Sequence, residues 1–179
     1  NRKIRHQRFL SHEELARLGA VLRAARAEVG EDRQLHAVAI TLLLLTGCRV
    51  GEVLGLKWGD VHGNRIKLRD SKTGPRTVWL GDEARDLIAT LPRHKNIAWL
   101  FWSRRNRKPI ITLQYFWHEF RHQAQLPSYR LHDLRHTFAS HAAMNAETLP
   151  MIGRLLGHAK VESTARYAHL DDGHVQAAC

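Results

Sequence analysis

The sequence has few cysteines, few acidic residues and no long apolar segment. Its only two cysteines, Cys48 and Cys179, lie far apart in the chain, which excludes a disulfide framework and favours a reducing compartment such as the cytoplasm. The longest apolar run, residues 37–45, is far shorter than the ~20 residues that cross a bilayer, so we expect no membrane partner. Internal repeats and low-complexity tracts are absent as well.

The length and the charge narrow the class of protein. A chain of 179 residues fits one domain, and 44% hydrophobic with 25% charged residues is typical of a folded globular protein. The 28 Lys and Arg against 17 Asp and Glu give a net charge of +11, which favours a polyanionic partner such as nucleic acid. The alternative is a solvated basic surface without a specific partner. Charge alone does not separate a DNA enzyme from a DNA-binding module.

Hydrophobic periodicity predicts an α+β fold, mostly helical with one small antiparallel sheet. Ser11 and Glu14 have the spacing of a capping box at the start of the first helix. Apolar and polar residues alternate on either side of the turn at residues 70–75, which indicates a hairpin. The predicted helices cover residues 11–29, 36–45, 50–56, 83–91, 112–124, 133–144, 150–157 and 162–168, and residues 98–102 could add a short strand.

The segment LHDLRHTFASH carries the first group of reactive side chains. On a helix, His132, Arg135 and His136 share one face, while Leu134 and Phe138 point the other way into a core. An arginine beside histidines is well suited to hold an anion. A metal site at His132 and His136 is an alternative, but the Glu of the helical zinc motif is missing. A salt-bridged surface helix is the other alternative.

Two more cations occur next to turns. Arg49 follows a glycine turn at the end of the apolar helix, and Glu52 lies three residues on, close enough to orient it. Such an arginine is usually structural, so its role depends on whether it meets Arg135 in space. Lys72 lies in the hairpin turn, where a lysine is most often only solvated. From that turn it could also reach into a groove and donate a proton.

The segment LLGHAKVESTARYAHL places a histidine and a tyrosine nine residues apart. Gly157 is predicted to end a helix, so His158 is presented at its terminus. Polar neighbours predict that Tyr167 lies outside the core, whereas an aromatic run places Tyr115 in the core and Tyr129 falls in a loop. A phenol with a pKa near 10 becomes a nucleophile only when nearby cations or a base activate it.

Taken in order, these segments resemble one known family. TGCRVGEVLGL, SKTG in a hairpin turn, LHDLRHTFASH, LLGH and the following Tyr167 span residues 46–169 and resemble the catalytic domain of the tyrosine recombinase, or phage integrase, family. The resemblance implies that family's catalytic-domain fold. It also implies an enzyme that cuts and rejoins DNA strands through a 3′-phosphotyrosyl intermediate, without a metal or nucleotide cofactor.

The resemblance also implies a role for each matching residue. It assigns the two phosphate-binding arginines to Arg49 and Arg135, the general acid to Lys72, the handling of the nucleophile's proton to His132, a phosphate hydrogen bond to His158, and the nucleophile to Tyr167. Glu52 matches a carboxylate that supports the first arginine. Cations aimed at the equatorial oxygens of a pentacoordinate phosphorus stabilise the transition state more than the ground state.

The resemblance further implies how the chain is organised and what it binds. Residues 1–10 are expected to be a basic linker from a missing N-terminal DNA-binding domain, residues 11–170 the catalytic domain, and residues 171–179 a C-terminal tail. The expected partner is double-stranded DNA, on which the protein forms a tetramer, with a monomer when alone. A type IB topoisomerase, a catalytically idle DNA-binding module and a metal-dependent nuclease are the alternatives.

Overall fold

The computed structural model of the protein describes residues 8–28, 31–69, 74–145, 147–158 and 162–168. No helix in these ranges is long and apolar enough to cross a membrane. The helices are α1 (His12–Ala27), α2 (Glu31–Thr46), α3 (Val50–Leu54), α4 (Asp82–Ala89), α5 (Gln114–Gln123), α6 (Leu131–Met144), α7 (Leu149–Leu156) and α8 (Glu162–Ala165). The strands are β1 (Val61–His62), β2 (Arg65–Leu68) and β3 (Arg76–Trp79).

The helices begin and end where short polar residues and glycine satisfy the backbone. Ser11 Oγ accepts from the Glu14 amide at 3.2 Å, and Glu14 Oε2 accepts from the Ser11 amide at 3.0 Å, so the predicted capping box is confirmed. Thr148 caps α7, Pro150 lies in its first turn, and Gly157 ends it in the left-handed conformation with φ 64°. Most helix ends differ by a few residues from the predicted ones, as expected when ends fray.

The sheet is antiparallel with the strand order β1-β2-β3. Ile66 pairs with Val78, and both point into the core while their neighbours face solvent, which confirms the predicted hairpin. The two-residue strand β1 was not predicted, because it is too short to show alternation. Residues 70–73 of the hairpin turn, which include Lys72, lie outside the described residues.

The possible strand at residues 98–102 does not form. Trp99 makes one isolated bridge with Lys57, and Trp102 makes another with Pro109. The segment therefore contacts two different partners, and a proline lacks the amide hydrogen that a longer ladder would need. Leu100, Phe101 and Trp102 are nevertheless buried, which explains the misleading apolar pattern.

The prediction that Tyr115 belongs to the core is wrong. Its side chain is 77% exposed, whereas Trp117 and Phe120 on the same helix are buried. Two residues correspond to about 200° around an α-helix, so Tyr115 lies on the side of α5 opposite to Trp117. An aromatic run in a helix therefore cannot all face one core.

The buried side chains form two separate groups. The main core extends from Leu10 to Leu134 and joins α1, α2, the sheet, α4 and α5 around side chains such as Ile40 and Trp117. A second group, the minor cluster, lies between α6, α7 and residues 162–168, which we call the α8 segment. It consists of Ala139, Ala143, Ile152, Leu156 and Tyr167. The site described next lies where these two groups meet.

The start of the described chain is attached to α6. Leu10 is fully buried, its amide donates to Thr137 Oγ1 at 3.0 Å, and its carbonyl accepts from His141 Nε2 at 2.8 Å. Residues 1–7 of the predicted linker and the whole predicted tail lie outside the described residues.

Candidate active site

Arg135 on α6 is the centre of the site. It is only 5% exposed, and its Nη1 and Nη2 donate to the carbonyls of Gly47 and Leu156, each at 2.6 Å. Gly47 precedes Arg49 by two residues, and Leu156 precedes His158 by two. One guanidinium therefore holds together the two turns that carry the other predicted phosphate ligands.

Gly47 allows the end of α2 to approach α6 closely. Its φ of 62° favours glycine, and a Cβ there would lie 2.4 Å from Cδ1 of Phe138. Phe138 packs on the minor cluster and Leu134 on the main core, as predicted for the apolar side of α6, whereas the buried Ala139 and Ala143 lie on the same side as His136. The glycine turn thus brings α2 and α6 to the distance that Arg135 bridges.

Arg49 is fixed by Glu52 but remains accessible. Glu52 Oε2 accepts from the Arg49 amide at 2.9 Å, and Oε1 accepts from Arg49 Nη1 at 2.8 Å. The side chain of Arg49 is 27% exposed, whereas that of Glu52 is 6% exposed. Burial raises the pKa of Glu52, but hydrogen bonds from Arg49 and Arg76 outweigh it and keep the pKa below its usual value. The carboxylate therefore stays ionised between two arginines.

Arg76 is a residue of the site that sequence reasoning missed. Its Nη2 donates to Glu52 Oε2 at 2.8 Å, and its Nη1 donates to the carbonyl of Leu155 at 2.9 Å. It is the first residue of β3, where it looks like one of several polar residues that alternate with apolar ones. Two features of the sequence could have indicated Arg76. It follows the lysine turn directly in the sequence, and an arginine that is buried needs a charged or polar partner.

His158 lies directly after the left-handed turn at Gly157. A Cβ at Gly157 would be 2.3 Å from Cδ of Arg76, so the turn packs directly on that arginine. His158 Nδ1 is 2.8 Å from Oγ1 of the buried Thr164, which fixes the orientation of the imidazole. The predicted presentation of His158 at a helix terminus is confirmed.

Tyr167 is buried, which contradicts its predicted position outside the core. It is 4% exposed, and its hydroxyl is 2.7 Å from His136 Nδ1. Ala139 and Ala143, one turn apart on α6, leave room for the ring in the minor cluster. Small residues at this spacing are the signal that could have indicated a buried partner.

Two of the three histidines of α6, His132 and His136, lie side by side. The His132 ring packs edge-on against the His136 ring with centroids 4.9 Å apart. His136, to which the family resemblance assigned no role, is the group in contact with the tyrosine hydroxyl. Among the site residues predicted from the sequence, Arg49, His132, Arg135, His158 and Tyr167 border this one region, whereas Lys72 is not described.

The electrostatics of the site favour an anion. Burial and then the charge of Arg135 lower the pKa of His158 to about 4, and burial with His132 lowers that of His136 to about 4 as well. Burial, Arg49 and Arg76 lower the pKa of Arg135 to about 10, so it remains charged at neutral pH. Burial is the main cause of both shifts, and the positive charges of Arg135 and Arg166 add to it; these same charges would attract an entering phosphate.

The tyrosine hydroxyl holds its proton in this arrangement. Burial raises the pKa of Tyr167, against the opposing effects of Arg166 and Arg135. With His136 neutral at pH 7, the simplest arrangement is a phenol that donates to Nδ1. Among the described residues, His, Cys, Asp and Glu form no group of three or more that could hold a metal ion.

Comparison with known proteins decides the family. The family model described as the phage integrase family matches residues 8–174. The chain belongs to the phage integrase family. This integrase-family chain is 32% identical over 170 residues to tyrosine recombinase XerD of Yersinia pestis, a match covering 87% of the chain and 56% of that protein. It is also 32% identical over 176 residues to the integrase of Escherichia phage P2, covering 94% and 44%.

Solved structures agree on the fold. The catalytic domain of bacteriophage HP1 integrase superimposes with a TM-score of 0.69 at 30% identity, covering 95% of this chain and 92% of that domain. The XerA recombinase superimposes with a TM-score of 0.74 at 27% identity, covering 96% and 62%. The predicted recombinase catalytic-domain fold is confirmed. The chain spans about half the length of the two sequence relatives named above.

Proposed function

We propose that this protein is a site-specific recombinase or integrase domain that cuts and rejoins DNA strands through a phosphotyrosyl bond to Tyr167. The observation that carries the proposal is the double hydrogen bond of Arg135 to the carbonyls of Gly47 and Leu156. These bonds bring Arg49 and His158 to one place beside the helix face that contacts the tyrosine hydroxyl.

The cations of the site bind the scissile phosphate. Arg49 and Arg135 hold its non-bridging oxygens, and His158 donates a further hydrogen bond. Negative charge on these oxygens grows in the pentacoordinate transition state, so fixed donors stabilise that state more than the substrate. The donors are positioned by helix ends and by Glu52 before DNA arrives, which avoids reorganisation during the reaction. Arginines supply this charge, so we expect cleavage to continue in excess EDTA.

The tyrosine carries out the transfer. Tyr167 Oη attacks phosphorus, the bond from phosphorus to the 5′-oxygen breaks, and that oxygen takes a proton from Lys72 to leave as a 5′-hydroxyl. One phosphate ester replaces another, so the bond energy is conserved and no nucleotide cofactor is needed. A free 5′-hydroxyl then attacks the phosphotyrosine and rejoins the strand.

The proton of Tyr167 has two candidate acceptors, His132 and His136. His132 is the residue that family resemblance assigns to this task, whereas His136 Nδ1 is the atom 2.7 Å from the hydroxyl. A phosphate anion entering the site raises the pKa of both imidazoles and makes either a better base. Comparison of His132→Asn with His136→Asn in single-turnover cleavage decides between them, because loss of the base removes the acidic limb of the pH–rate profile.

Access to the tyrosine requires movement of the minor cluster. A ring that is 4% exposed cannot reach a phosphorus atom in DNA while it stays between α6 and α7. We infer that DNA binding releases the α8 segment from the minor cluster.

The acting assembly on double-stranded DNA is a tetramer, formed from chains that are monomeric alone.

A nicked duplex of candidate attachment sequence tests the proposal. The nick lets the leaving strand diffuse away, so a covalent protein–DNA band accumulates with the wild type. Tyr167→Phe is expected to give no band while it binds the same duplex with similar affinity. A band with Tyr167→Phe contradicts the nucleophile, and no band with wild type on any duplex indicates an idle DNA-binding module. Relaxation of supercoils without strand exchange would indicate a topoisomerase.

A further inference from the structure

We infer that Arg76 is a positioning residue that balances the charge of Glu52, so that the guanidinium charge of Arg49 remains available to a phosphate. The inference rests on the proposed function, in which Arg49 holds the scissile phosphate. Neither the motifs nor the family resemblance singled out Arg76. Its side chain contacts two structures that position phosphate-binding residues. They are Glu52, which fixes Arg49, and the α7 turn, which carries His158.

The first support is the carboxylate of Glu52, which Arg76 shares with Arg49. Oε2 of Glu52 is 2.8 Å from Arg76 Nη2, and Oε1 is 2.8 Å from Arg49 Nη1. Without Arg76 the carboxylate would have a single cationic partner and would neutralise it. With Arg76 in place, the three groups carry a net charge of one positive unit, and Arg49 is the exposed member of the pair of arginines.

The second support is the turn that carries His158. Arg76 Nη1 donates to the carbonyl of Leu155 at 2.9 Å, and its Cδ fills the space that a side chain at Gly157 would need. The end of α7 is therefore held by Arg76 at the carbonyl of Leu155 and by Arg135 at the carbonyl of Leu156. Both contacts come from a single side chain that starts on β3.

Arg76 itself is in no position to bind the phosphate. Its side chain is 9% exposed, and its Nε is fully buried without a hydrogen-bond partner among the described residues. Leaving a buried donor unpaired costs free energy, so a role in the site rather than in folding alone explains why arginine stands here. The effect on an anion must pass through Glu52 and the α7 turn.

Affinity for inorganic phosphate tests the inference without any need for catalysis. Arg76→Met is expected to weaken phosphate binding by about 10-fold, because Glu52 then pairs with Arg49 alone and neutralises the guanidinium that holds the anion. In the Glu52→Gln background the same change is expected to cost less than about 3-fold, because no carboxylate is left to balance. Arg76→Lys keeps the charge beside Glu52 but not both hydrogen bonds, so it is expected to lose less affinity than Arg76→Met.

A matched control and a second substrate sharpen the test. Arg33→Met removes an arginine that pairs with Glu28 and Glu119 away from the site, and it is expected to leave phosphate binding unchanged. On nicked DNA, Arg76→Met should slow adduct formation about 100-fold with a phosphodiester. With a neutral methylphosphonate at the same position, the loss of rate caused by Arg76→Met should be less than about 10-fold. The methylphosphonate has no negative charge for Arg49 to neutralise.

The outcomes separate this inference from the proposed function. Equal losses in the wild-type and Glu52→Gln backgrounds, equal losses on both DNA substrates, or an Arg76→Lys variant as weak as Arg76→Met would each overturn the role of Arg76. A wild type that forms no adduct, yet shows the expected pattern of phosphate affinities, would overturn the recombinase proposal and leave the charge balance standing.

Discussion

The main core and the minor cluster differ in what they support. The main core joins α1 to α5, the sheet and the start of α6, and it anchors the turn that carries Arg49 and the part of α6 that carries Arg135. The minor cluster has five buried side chains, two of them alanines, and holds Tyr167. The two proposed phosphate-binding arginines are thus mounted on the strongly packed part, whereas His158, at the end of α7, and the proposed nucleophile lie next to the weakly packed part. This arrangement suits a reaction in which the cations stay fixed and the tyrosine moves.

The largest expected effects are those of replacing the two arginines next to the main core, Arg49 and Arg135, which should differ in their effect on stability. Arg49→Ala and Arg135→Ala should each slow adduct formation by about 100- to 1,000-fold, because each removes a donor to the phosphate. Arg135→Ala should also lower the free energy of unfolding by about 3 kcal/mol, since it leaves two buried carbonyls unpaired. Arg49→Ala should cost less than about 1 kcal/mol, as its ion pair is partly exposed. Single-turnover cleavage and urea unfolding measure both, and near-normal rates would contradict the phosphate-binding role.

Two fully buried isoleucines compare the two groups directly. Ile40→Ala in the main core should lower the free energy of unfolding by about 4 kcal/mol, whereas Ile152→Ala in the minor cluster should cost about 2 kcal/mol, because a small cluster collapses around the cavity more easily. Hydrogen exchange should show that only Ile152→Ala loosens α7 selectively. If both substitutions lowered the free energy of unfolding equally and neither increased hydrogen exchange selectively in α7, the main core and the minor cluster would be one cooperative unit.

Two glycines with the same backbone conformation test the junction. Gly157 and Gly63 have φ of 64° and 61°, but a Cβ meets Arg76 only at Gly157, while Gly63 faces open space. Gly63→Ala should cost about 1 kcal/mol for the left-handed conformation alone. Gly157→Ala should cost about 2–3 kcal/mol and also slow cleavage, because Arg76 must shift. If both variants lost the same free energy of unfolding, the packing of Arg76 on the α7 turn would make no contribution to stability.

The smallest expected effect is the pH dependence of stability. The folded-state pKa values of His136 and His158 are about 4, below the ordinary value near 6.5, so the unfolded chain binds more protons between these limits. Stability is then fully present above pH 6.5 and falls as the pH falls towards 4. Each histidine should contribute about 1 kcal/mol to this loss, reduced because both are partly exposed.

Thermal unfolding at pH 7 and pH 5 measures this loss, with His136→Asn and His158→Asn as the variants in which it should shrink. A stability that rises on acidification from pH 7 to pH 5 would contradict the neutral state of these histidines. Added phosphate should reduce the loss in the wild type, because the anion stabilises the imidazolium form.

The elements that the sequence predicted well depend on local interactions. The capping box of Ser11 and Glu14, the alternation around Ile66 and the glycine end of α7 are each set by residues within a few positions, so the local pattern was sufficient. The side-chain positions that were wrong depend on distant contacts. Tyr115 is exposed because the opposite face of α5 meets the core.

The candidate site shows the same division. Spacing alone placed His132, Arg135 and His136 on one face, and the resemblance supplied the roles. The burial of Tyr167 and the contacts of Arg76 were not predictable, because each depends on a partner more than 20 residues away, His136 for the tyrosine and Glu52 for the arginine. A buried arginine on a strand has no periodicity that distinguishes it from its solvated neighbours.

The most direct test of the central claim is to identify the residue that carries the DNA. The covalent adduct trapped on a nicked duplex is digested with nuclease and protease, and the modified peptide is sequenced by mass spectrometry. The account predicts a nucleotide attached by its 3′-phosphate to the oxygen of Tyr167. A nucleotide on any other residue, or attached by its 5′-phosphate, would contradict it.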